Sequence, residues 1–121
     1  MENQDVSPLE YYYEKQDKIP KACLLTLKAI VLSVDKDIVH TRKYQIPFFR
    51  YKDFNFGFLW VHRKKIIVGF VEDKKAFANT LSKPQKDYVL TQEINPLEDI
   101  PMDLIQRGIK ELIRKYNNAK Q

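Results

Sequence analysis

The sequence contains a single cysteine, Cys23, among its 121 residues. One cysteine cannot form an intramolecular disulfide, so the disulfide frameworks of small secreted proteins are excluded. Glycine is also scarce, and the three glycines stand alone at positions 57, 69 and 108, which leaves no glycine-rich loop to cradle a phosphate. A chain of this length buries enough of its own surface to fold without disulfides or structural metal.

Long apolar segments are missing as well. The longest runs, such as residues 29–32, have four residues, whereas a membrane-spanning helix needs roughly 20. Residues 1–17 are acidic and polar, which argues against a signal peptide. From these absences we expect a cytoplasmic protein without a membrane partner.

Signals for catalysis and for a zinc site are absent from the residue pattern. The sequence has no Gly-x-Ser-x-Gly nucleophile elbow, and Cys23 falls in the apolar stripe of a predicted helix, where a buried thiol is inert. The two histidines, His40 and His62, stand 22 residues apart, which is not a zinc-ligand spacing. We therefore expect a protein that is not an enzyme and that carries no resident cofactor.

Acidic residues near the start of the chain suggest a weaker metal site. Glu10, Glu14 and Asp17 recur at i, i+4 and i+7, so a single helix would place them on a shared face. Carboxylate oxygens suit a hard cation. The alternative interpretation is an ordinary solvated helix face.

Hydrophobic periodicity and turn residues predict the order of the helices and strands. Ser7 and Pro8 form a helix start, with Ser as the N-cap and Pro at the first helical position. Helices are predicted at residues 9–16, 20–34, 73–79 and 101–116. Strands are predicted at residues 38–44, 48–51, 54–62, 65–71 and 88–94, with a polar loop at residues 82–86.

Two local details bear on the predicted sheet. Pro47 lacks a backbone donor, so residues 45–47 should interrupt regular pairing. In the strand at 54–62, simple alternation puts the even-numbered residues on one face: Phe54, Phe56, Phe58, Trp60 and His62. Because both faces of this strand are largely apolar, it should be central in the sheet.

Together the segments predict a single α+β domain over residues 1–121, with a core spanning about residues 8–116. The closely spaced strands are typical of an antiparallel meander of about five strands, with the helices packed on one face. No internal repeat or Pro/Gly/Ser-rich linker divides the chain.

The whole chain has a formal net charge of +5. Positive charge is concentrated in the middle of the sequence. We call residues 42–65 the basic stripe, because this segment contains seven cationic residues and one acidic residue, Asp53. The cations are Arg42, Lys43, Arg50, Lys52, Arg63, Lys64 and Lys65. Such a stripe can bind nucleic acid or other phosphates, or it can be a solvated lysine-rich surface.

Aromatic residues crowd into the same region. Eight of them fall within 17 residues: Tyr44, Phe48, Phe49, Tyr51, Phe54, Phe56, Phe58 and Trp60. Rings with interleaved cations on a sheet are typical of proteins that bind single-stranded nucleic acid. A small sheet also needs large side chains for its core. The number of rings exposed on one face decides between the two interpretations.

A groove for a small anionic or aromatic molecule is the hypothesis that we favour. Pro47, next to two phenylalanines, can form the wall of a pocket that has polar groups at its edge. The expected ligand contacts are Arg42, Lys43, Tyr44, Pro47, Phe49, Trp60, His62 and Lys64.

Residues 43–52, Lys-Tyr-Gln-Ile-Pro-Phe-Phe-Arg-Tyr-Lys, carry a resemblance to a known family. The segment resembles the Lys-Tyr-Gly-hydrophobic-Pro-x-Phe-x-Tyr-x motif of the YdhG-like proteins (domain of unknown function 1801), with Gln45 where glycine is common. Residues 100–105, Ile-Pro-Met-Asp-Leu-Ile, resemble the start of the family's last helix. The order of elements is similar over about residues 8–116.

The resemblance implies an α+β fold with a curved antiparallel sheet, and a bacterial source. It also implies iron as a ligand, because one bacterial relative has been proposed as a frataxin-like iron chaperone. Such a role needs acidic residues that face the metal, and in this chain those are Glu10, Glu14 and Asp17.

Overall fold

The computed structural model describes residues 7–72 and 88–119. In chain order the elements are α1 (Pro8–Glu14), α2 (Lys18–Leu32), β1 (Ile38–Lys43), β2 (Ile46–Tyr51), β3 (Phe54–His62), β4 (Lys65–Glu72), β5 (Tyr88–Ile94) and α3 (Met102–Ala119). The strands form one antiparallel sheet in the order β1-β2-β3-β4-β5. The predicted α+β meander is confirmed. The helix predicted at 73–79 and the loop predicted at 82–86 lie outside the described residues.

The first two helices begin and end close to their sequence signals. Ser7 Oγ accepts a hydrogen bond from the Glu10 backbone N–H at 3.1 Å, and the Glu10 carboxylate accepts one from the Ser7 N–H, which completes a capping box. Helix α2 begins at Lys18 rather than at Pro20. Pro20 is tolerated because the first N–H groups of a helix have no partner within the helix.

Two of the hairpin turns have the backbone geometry that a twisted two-residue connection requires. Tyr44 and Gln45 join β1 to β2 with φ of 55° and 66°, and Arg63 and Lys64 join β3 to β4 with φ of 52° and 69°. Positive φ at both central residues matches the right-handed twist of the flanking strands. Both turns lie at the same end of the sheet, because β1 and β3 run in the same direction.

The prediction that residues 45–47 interrupt pairing is wrong for β1 with β2, whereas the pairing of β2 with β3 begins only at Phe48. Ile46 and Pro47 belong to β2, where Pro47 pairs with Arg42 of β1. The pair that closes the turn is Lys43 with Ile46. Hydrogen-bonded and non-hydrogen-bonded pairs alternate along an antiparallel ladder, so Arg42 and Pro47 form a non-hydrogen-bonded pair. The missing N–H of Pro47 therefore costs the β1–β2 ladder nothing.

A β-bulge in β3 overturns the simple alternation predicted for that strand. Phe49 of β2 pairs with Gly57, whereas Arg50 pairs with Asn55, which leaves Phe56 as the extra residue. The bulge turns both Phe56 and Leu59 toward the helices, where they are buried in the core. Phe58 and Trp60 consequently lie on the opposite face from Phe54 and Phe56.

The hydrophobic core lies between one face of the sheet and the three described helices. Helix α2 contributes Cys23, Leu24, Leu27, Ile30 and Val31, and α3 contributes Ile105, Ile109, Leu112, Ile113 and Tyr116. These residues pack against Phe49, Tyr51, Phe54, Phe56, Leu59, Ile66, Val68 and Ile94 of the strands. The predicted burial of Cys23 is confirmed, and burial raises the pKa of its thiol.

Side-chain hydrogen bonds tie the helices to the sheet. Tyr12 Oη of α1 accepts a hydrogen bond from the Val61 backbone N–H of β3 at 2.9 Å. Tyr116 of α3 donates to the Asp53 carboxylate in the β2–β3 turn, and its ring stacks on Phe54 with centroids 5.3 Å apart. These contacts hold the helices on one face of the sheet. Within residues 7–72 and 88–119, no helix is long and apolar enough to cross a bilayer.

Candidate functional site

The face of the sheet that points away from the helices carries the candidate site, and we call it the open face. Strand register and the bulge in β3 determine which side chains it presents. From β1 to β3 these are Val39, Thr41, Lys43, Ile46, Phe48, Arg50, Asn55, Phe58, Trp60 and His62. From β4 and β5 they are Lys65, Ile67, Gly69, Val71, Val89, Thr91 and Glu93.

A cavity of about 370 Å³ lies on the open face. Its lining comes from all five strands and the β1–β2 turn: Lys43, Tyr44, Ile46, Phe48, Asn55, Phe58, Trp60, Val71 and Val89. Most of these side chains are apolar or aromatic, and the described part of the lining contains no carboxylate. The volume is within the usual range for small-molecule sites, and the mixture of an apolar wall with few polar groups is typical of them.

The floor of the cavity is formed by two neighbouring aromatic rings, Phe58 and Phe48, and the Phe58 ring lies over the neighbouring strand. Phe58 pairs with Gly69 of β4, and its ring covers the space that a side chain at position 69 would occupy. The Phe48 ring lies next to it, with centroids 5.3 Å apart. Glycine at position 69 is required for this floor, because a Cβ there would come within 2.1 Å of Phe58 Cζ.

The rim of the cavity at the β1–β2 turn combines a ring with a cation. Tyr44 is 75% exposed and meets the edge of Phe48 at 5.9 Å between centroids. Lys43 Nζ lies 5.2 Å from the centre of the Tyr44 ring and 5.8 Å from that of Phe48. Among the described residues Lys43 makes no ion pair. Its ammonium is therefore available to an anionic group in the cavity.

A second pair of stacked rings extends the site along β3. The rings of Trp60 and His62 stack with centroids 4.5 Å apart. Trp60 lines the cavity, whereas His62 is exposed beside it. Lys65, the strand partner of His62, makes an ion pair with Glu93 at 3.8 Å. Of the eight rings within residues 44–60, Tyr44 is exposed, Phe58 and Trp60 are half-buried and the other five are buried, so most of them belong to the core. The accessible rings of the open face are those three and His62.

The structure brings together three of the residues predicted from the sequence. Lys43, Tyr44 and Trp60 line the cavity, and His62 adjoins it. The structure does not place all eight predicted contacts around one groove.

Four of the predicted residues lie elsewhere. Phe49 is 1% exposed and Pro47 is fully buried, because odd-numbered residues of β2 face the helices. Arg42 is exposed, and its pairing with Pro47 puts it on the helix side of β1. Lys64 is exposed in the β3–β4 turn.

Sequence reasoning missed six residues of the lining: Ile46, Phe48, Asn55, Phe58, Val71 and Val89. The bulge at Phe56 explains part of the omission, because it moves Asn55 and Phe58 to the same face. Gly57 in the middle of an aromatic strand was the available signal, since glycine inside a strand often marks a bulge.

The acidic residues predicted as a weak metal site do not form one face. Helix α1 ends at Glu14, and Asp17 is the N-cap of α2. Glu10 is held in the capping box, and Glu14 makes an ion pair with Lys21 at 3.3 Å. No group of three or more His, Cys, Asp and Glu side chains in the described part of the chain is arranged to hold a metal ion.

His40 belongs to a polar cluster on the helix side of the sheet. The Tyr13 hydroxyl of α1 lies 2.8 Å from His40 Nε2, and the His40 ring packs on Phe49 at 4.9 Å between centroids. Burial, with a smaller contribution from the charge of Lys28, lowers the pKa of His40 to about 4. At neutral pH the imidazole is therefore neutral, and its Nε2 shares a hydrogen bond with the Tyr13 hydroxyl, which indicates a structural role.

Comparison of the chain with protein-family models, with curated proteins and with solved structures gives no match. Function is therefore inferred from the geometry and chemistry of the open face.

Proposed function

We propose that the chain is a non-enzymatic binding module whose open face receives a small ligand with a flat aromatic body and an anionic group. One observation carries the proposal: the described residues that line the 370 Å³ cavity are apolar and aromatic side chains together with one lysine and one asparagine. The aromatic body would lie on Phe58, the half-buried ring of the floor, beside Phe48, which is 5% exposed. Burial of apolar surface would supply most of the affinity, at about 25 cal/mol per Å².

The polar groups at the edge would orient the ligand. Lys43 would contact the anionic group, and a hydrogen bond to a charged partner contributes about 1.5–3 kcal/mol. Tyr44 would cover one side of the ring, since its own ring is exposed at the rim. Asn55, which offers both a donor and an acceptor, would bind a polar substituent.

Binding rather than catalysis fits the kinds of side chain in the lining. The nine described residues of the lining include no serine, cysteine, histidine or carboxylate that would act as a nucleophile or as its base. Lys43 and Tyr44 lie next to aromatic rings and to each other, which suits recognition of a ring and a charge. We assign no catalytic residue.

Intrinsic fluorescence gives a direct test, because Trp60 is the only tryptophan and lines the cavity. Aromatic carboxylates and aromatic phosphates should quench or shift its emission and raise the melting temperature. The variant Lys43→Gln should weaken binding about 10- to 100-fold, as expected from the loss of a charge-assisted hydrogen bond. Lys64→Gln removes the same charge from an exposed turn position outside the cavity and is the matched control.

Two results would contradict the proposal. One is an emission spectrum of Trp60 that stays unchanged with every aromatic anion tested at millimolar concentration. The other is an equal loss of affinity in Lys43→Gln and Lys64→Gln, which would place the anion away from the cavity.

The YdhG-like resemblance and the cytoplasmic location stay predictions from the sequence. The positive φ of Gln45 supports the resemblance, because the family motif commonly has glycine at that position. Iron handling through Glu10, Glu14 and Asp17 gains no support from the geometry, since the three side chains do not converge.

A further inference from the structure

The binding chemistry of the open face extends well beyond the cavity. Lys43 lies on β1 and Lys65 on β4, three strands apart, which is about 14 Å at the usual strand spacing of 4.8 Å. Arg50 lies on the same face of β2, next to Asn55. The stacked pair of Trp60 and His62 continues the aromatic surface past the cavity. A small ligand that fills the cavity leaves most of these groups unused.

Charge is distributed unevenly between the two sides of the sheet. Among the described residues the open face carries Lys43, Arg50 and Lys65 and one carboxylate, Glu93, which is paired with Lys65. The β3–β4 turn adds two exposed cations, Arg63 and Lys64, at the end of the sheet where Tyr44 also lies.

Nearby carboxylates are held on the helix side instead. Asp53 accepts a hydrogen bond from Tyr116, and Glu72 makes an ion pair with Lys115; both partners lie on α3. The described part of the open face and its adjoining turn therefore carry a net positive charge, and the rings between the cations are accessible at Tyr44 and His62.

We infer that the open face binds a single-stranded nucleic acid. The inference rests on the proposed function, because the cavity is where one base would sit, on the half-buried Phe58 ring. Neighbouring bases would stack on Tyr44 and on the Trp60–His62 pair, and the phosphates would follow the cations. Stacking of this kind is worth about 1–3 kcal/mol per base and tolerates any base sequence.

Single strands fit this surface better than duplexes do. The rings lie on a sheet and can stack only on bases that are not already paired and stacked in a helix. The open face also presents few side-chain hydrogen-bonding groups among its rings, Asn55 being the one amide in the cavity lining. Sequence-tolerant binding through stacking and phosphate contacts is the expected mode.

Fluorescence anisotropy with labelled single-stranded DNA and RNA of about ten nucleotides, a length typical of one small binding domain, tests the inference. Affinity should fall as salt rises, with a log–log slope of about −2 to −3 if three or four phosphates are neutralised. The matched duplex should bind at least about tenfold more weakly than the single strand.

Variants locate the binding surface. Lys43→Gln should make the salt slope less steep by about 0.7, the contribution of one phosphate contact on a single strand. Lys110→Gln removes the same charge from an exposed position on α3 and should leave the slope unchanged. Tyr44→Ala should lower affinity about tenfold without unfolding the protein, because the Tyr44 ring is largely exposed. Circular dichroism and thermal melting check the fold of each variant.

The outcomes separate this inference from the proposed function. Small aromatic anions that bind at Trp60 while oligonucleotides do not bind would overturn the inference and leave the proposed function standing. Oligonucleotide binding that is equally weakened in Lys43→Gln and Lys110→Gln, or that is as tight for the duplex, would overturn it as well. Absence of binding by both ligand classes would overturn both.

Discussion

Phe58 lies over Gly69 on the neighbouring strand, so closely that a Cβ at position 69 would be 2.1 Å from Phe58 Cζ. The pairing of an aromatic side chain with a glycine across two strands allows the ring to lie flat on the sheet. The Phe58 ring forms part of the floor of the cavity. The shape of the site therefore depends on the lack of a Cβ at position 69.

Gly69→Ala should therefore displace the Phe58 ring into the cavity and weaken ligand binding. The cost in stability should be small, about 1 kcal/mol, because the ring is the far end of a side chain that can rotate. Binding measured by Trp60 fluorescence and stability measured by urea unfolding check the two effects.

Gly108→Ala is the control for that substitution. Its added Cβ meets Phe70 at an ordinary 3.6 Å, on α3 and away from the open face. Alanine inside a helix should raise the free energy of unfolding by about 0.5–1 kcal/mol and leave binding unchanged. Equal binding by the two variants would contradict the role of the Phe58–Gly69 pair.

Gln45→Gly should stabilise the protein by about 0.5–1 kcal/mol. Gln45 has a φ of 66°, a left-handed conformation that costs a residue with a side chain about 1–2 kcal/mol. Glycine removes this cost but loses more entropy on folding, so part of the gain is offset. Gln92→Gly, in β5, is a control that should destabilise the protein. A loss of stability in Gln45→Gly would contradict the turn geometry.

Stability should fall as the pH is lowered from about 6.5 to about 4, through His40. The unfolded chain takes up a proton near pH 6.5, whereas burial holds the pKa of His40 in the folded protein at about 4. Protonation therefore favours the unfolded state between these two pH values. The stability that depends on neutral His40 is fully present only above about pH 6.5. The shift corresponds to at most about 3 kcal/mol. Urea unfolding across this pH range measures it.

His40→Gln removes this titration and should flatten the dependence in that window. Tyr13→Phe removes the hydroxyl next to Nε2 and should cost about 1 kcal/mol at neutral pH. An unchanged pH dependence in His40→Gln would show that other groups are responsible.

Tyr116→Phe should lower the free energy of unfolding by about 1–3 kcal/mol. The phenol donates a hydrogen bond to the Asp53 carboxylate, and burial together with this bond raises the pKa of Tyr116 to about 12. Phenylalanine keeps the stacking on Phe54 and removes the hydroxyl together with its hydrogen bonding to Asp53. Denaturant unfolding measures the change, and a neutral substitution would contradict the bond's contribution.

The sequence predicted the elements well because local signals determine most of them. Ser7 and Pro8 start α1 through a capping box, and the spacing of Leu24, Leu27 and Val31 predicts the buried stripe of α2. Strand order followed from short connections, since neighbouring strands joined by two-residue turns must be antiparallel.

The candidate site was harder to predict because it depends on how strands are paired. Alternation alone put Phe56 and Phe58 on one face, and only the pairing of Phe49 with Gly57 shows that they separate. Pro47 was expected to break the pairing, but its position in the β1–β2 ladder needs no backbone N–H donor. Lys43, Tyr44 and Trp60 were predicted as contacts because they lie in a segment rich in cations and aromatic rings. That composition can be read from the sequence without knowing which face of the sheet each residue occupies.

The central claim is that the open face is the binding surface, and mapping of backbone amide chemical shifts by NMR tests it most directly. Titration with an aromatic phosphate and with a short single-stranded oligonucleotide should shift amides of β3, β4 and the Tyr44–Gln45 turn. The oligonucleotide should extend the shifts toward His62 and Lys65. Shifts concentrated on α1, α2 and α3, with none at Tyr44, Phe58 or Trp60, would contradict the account.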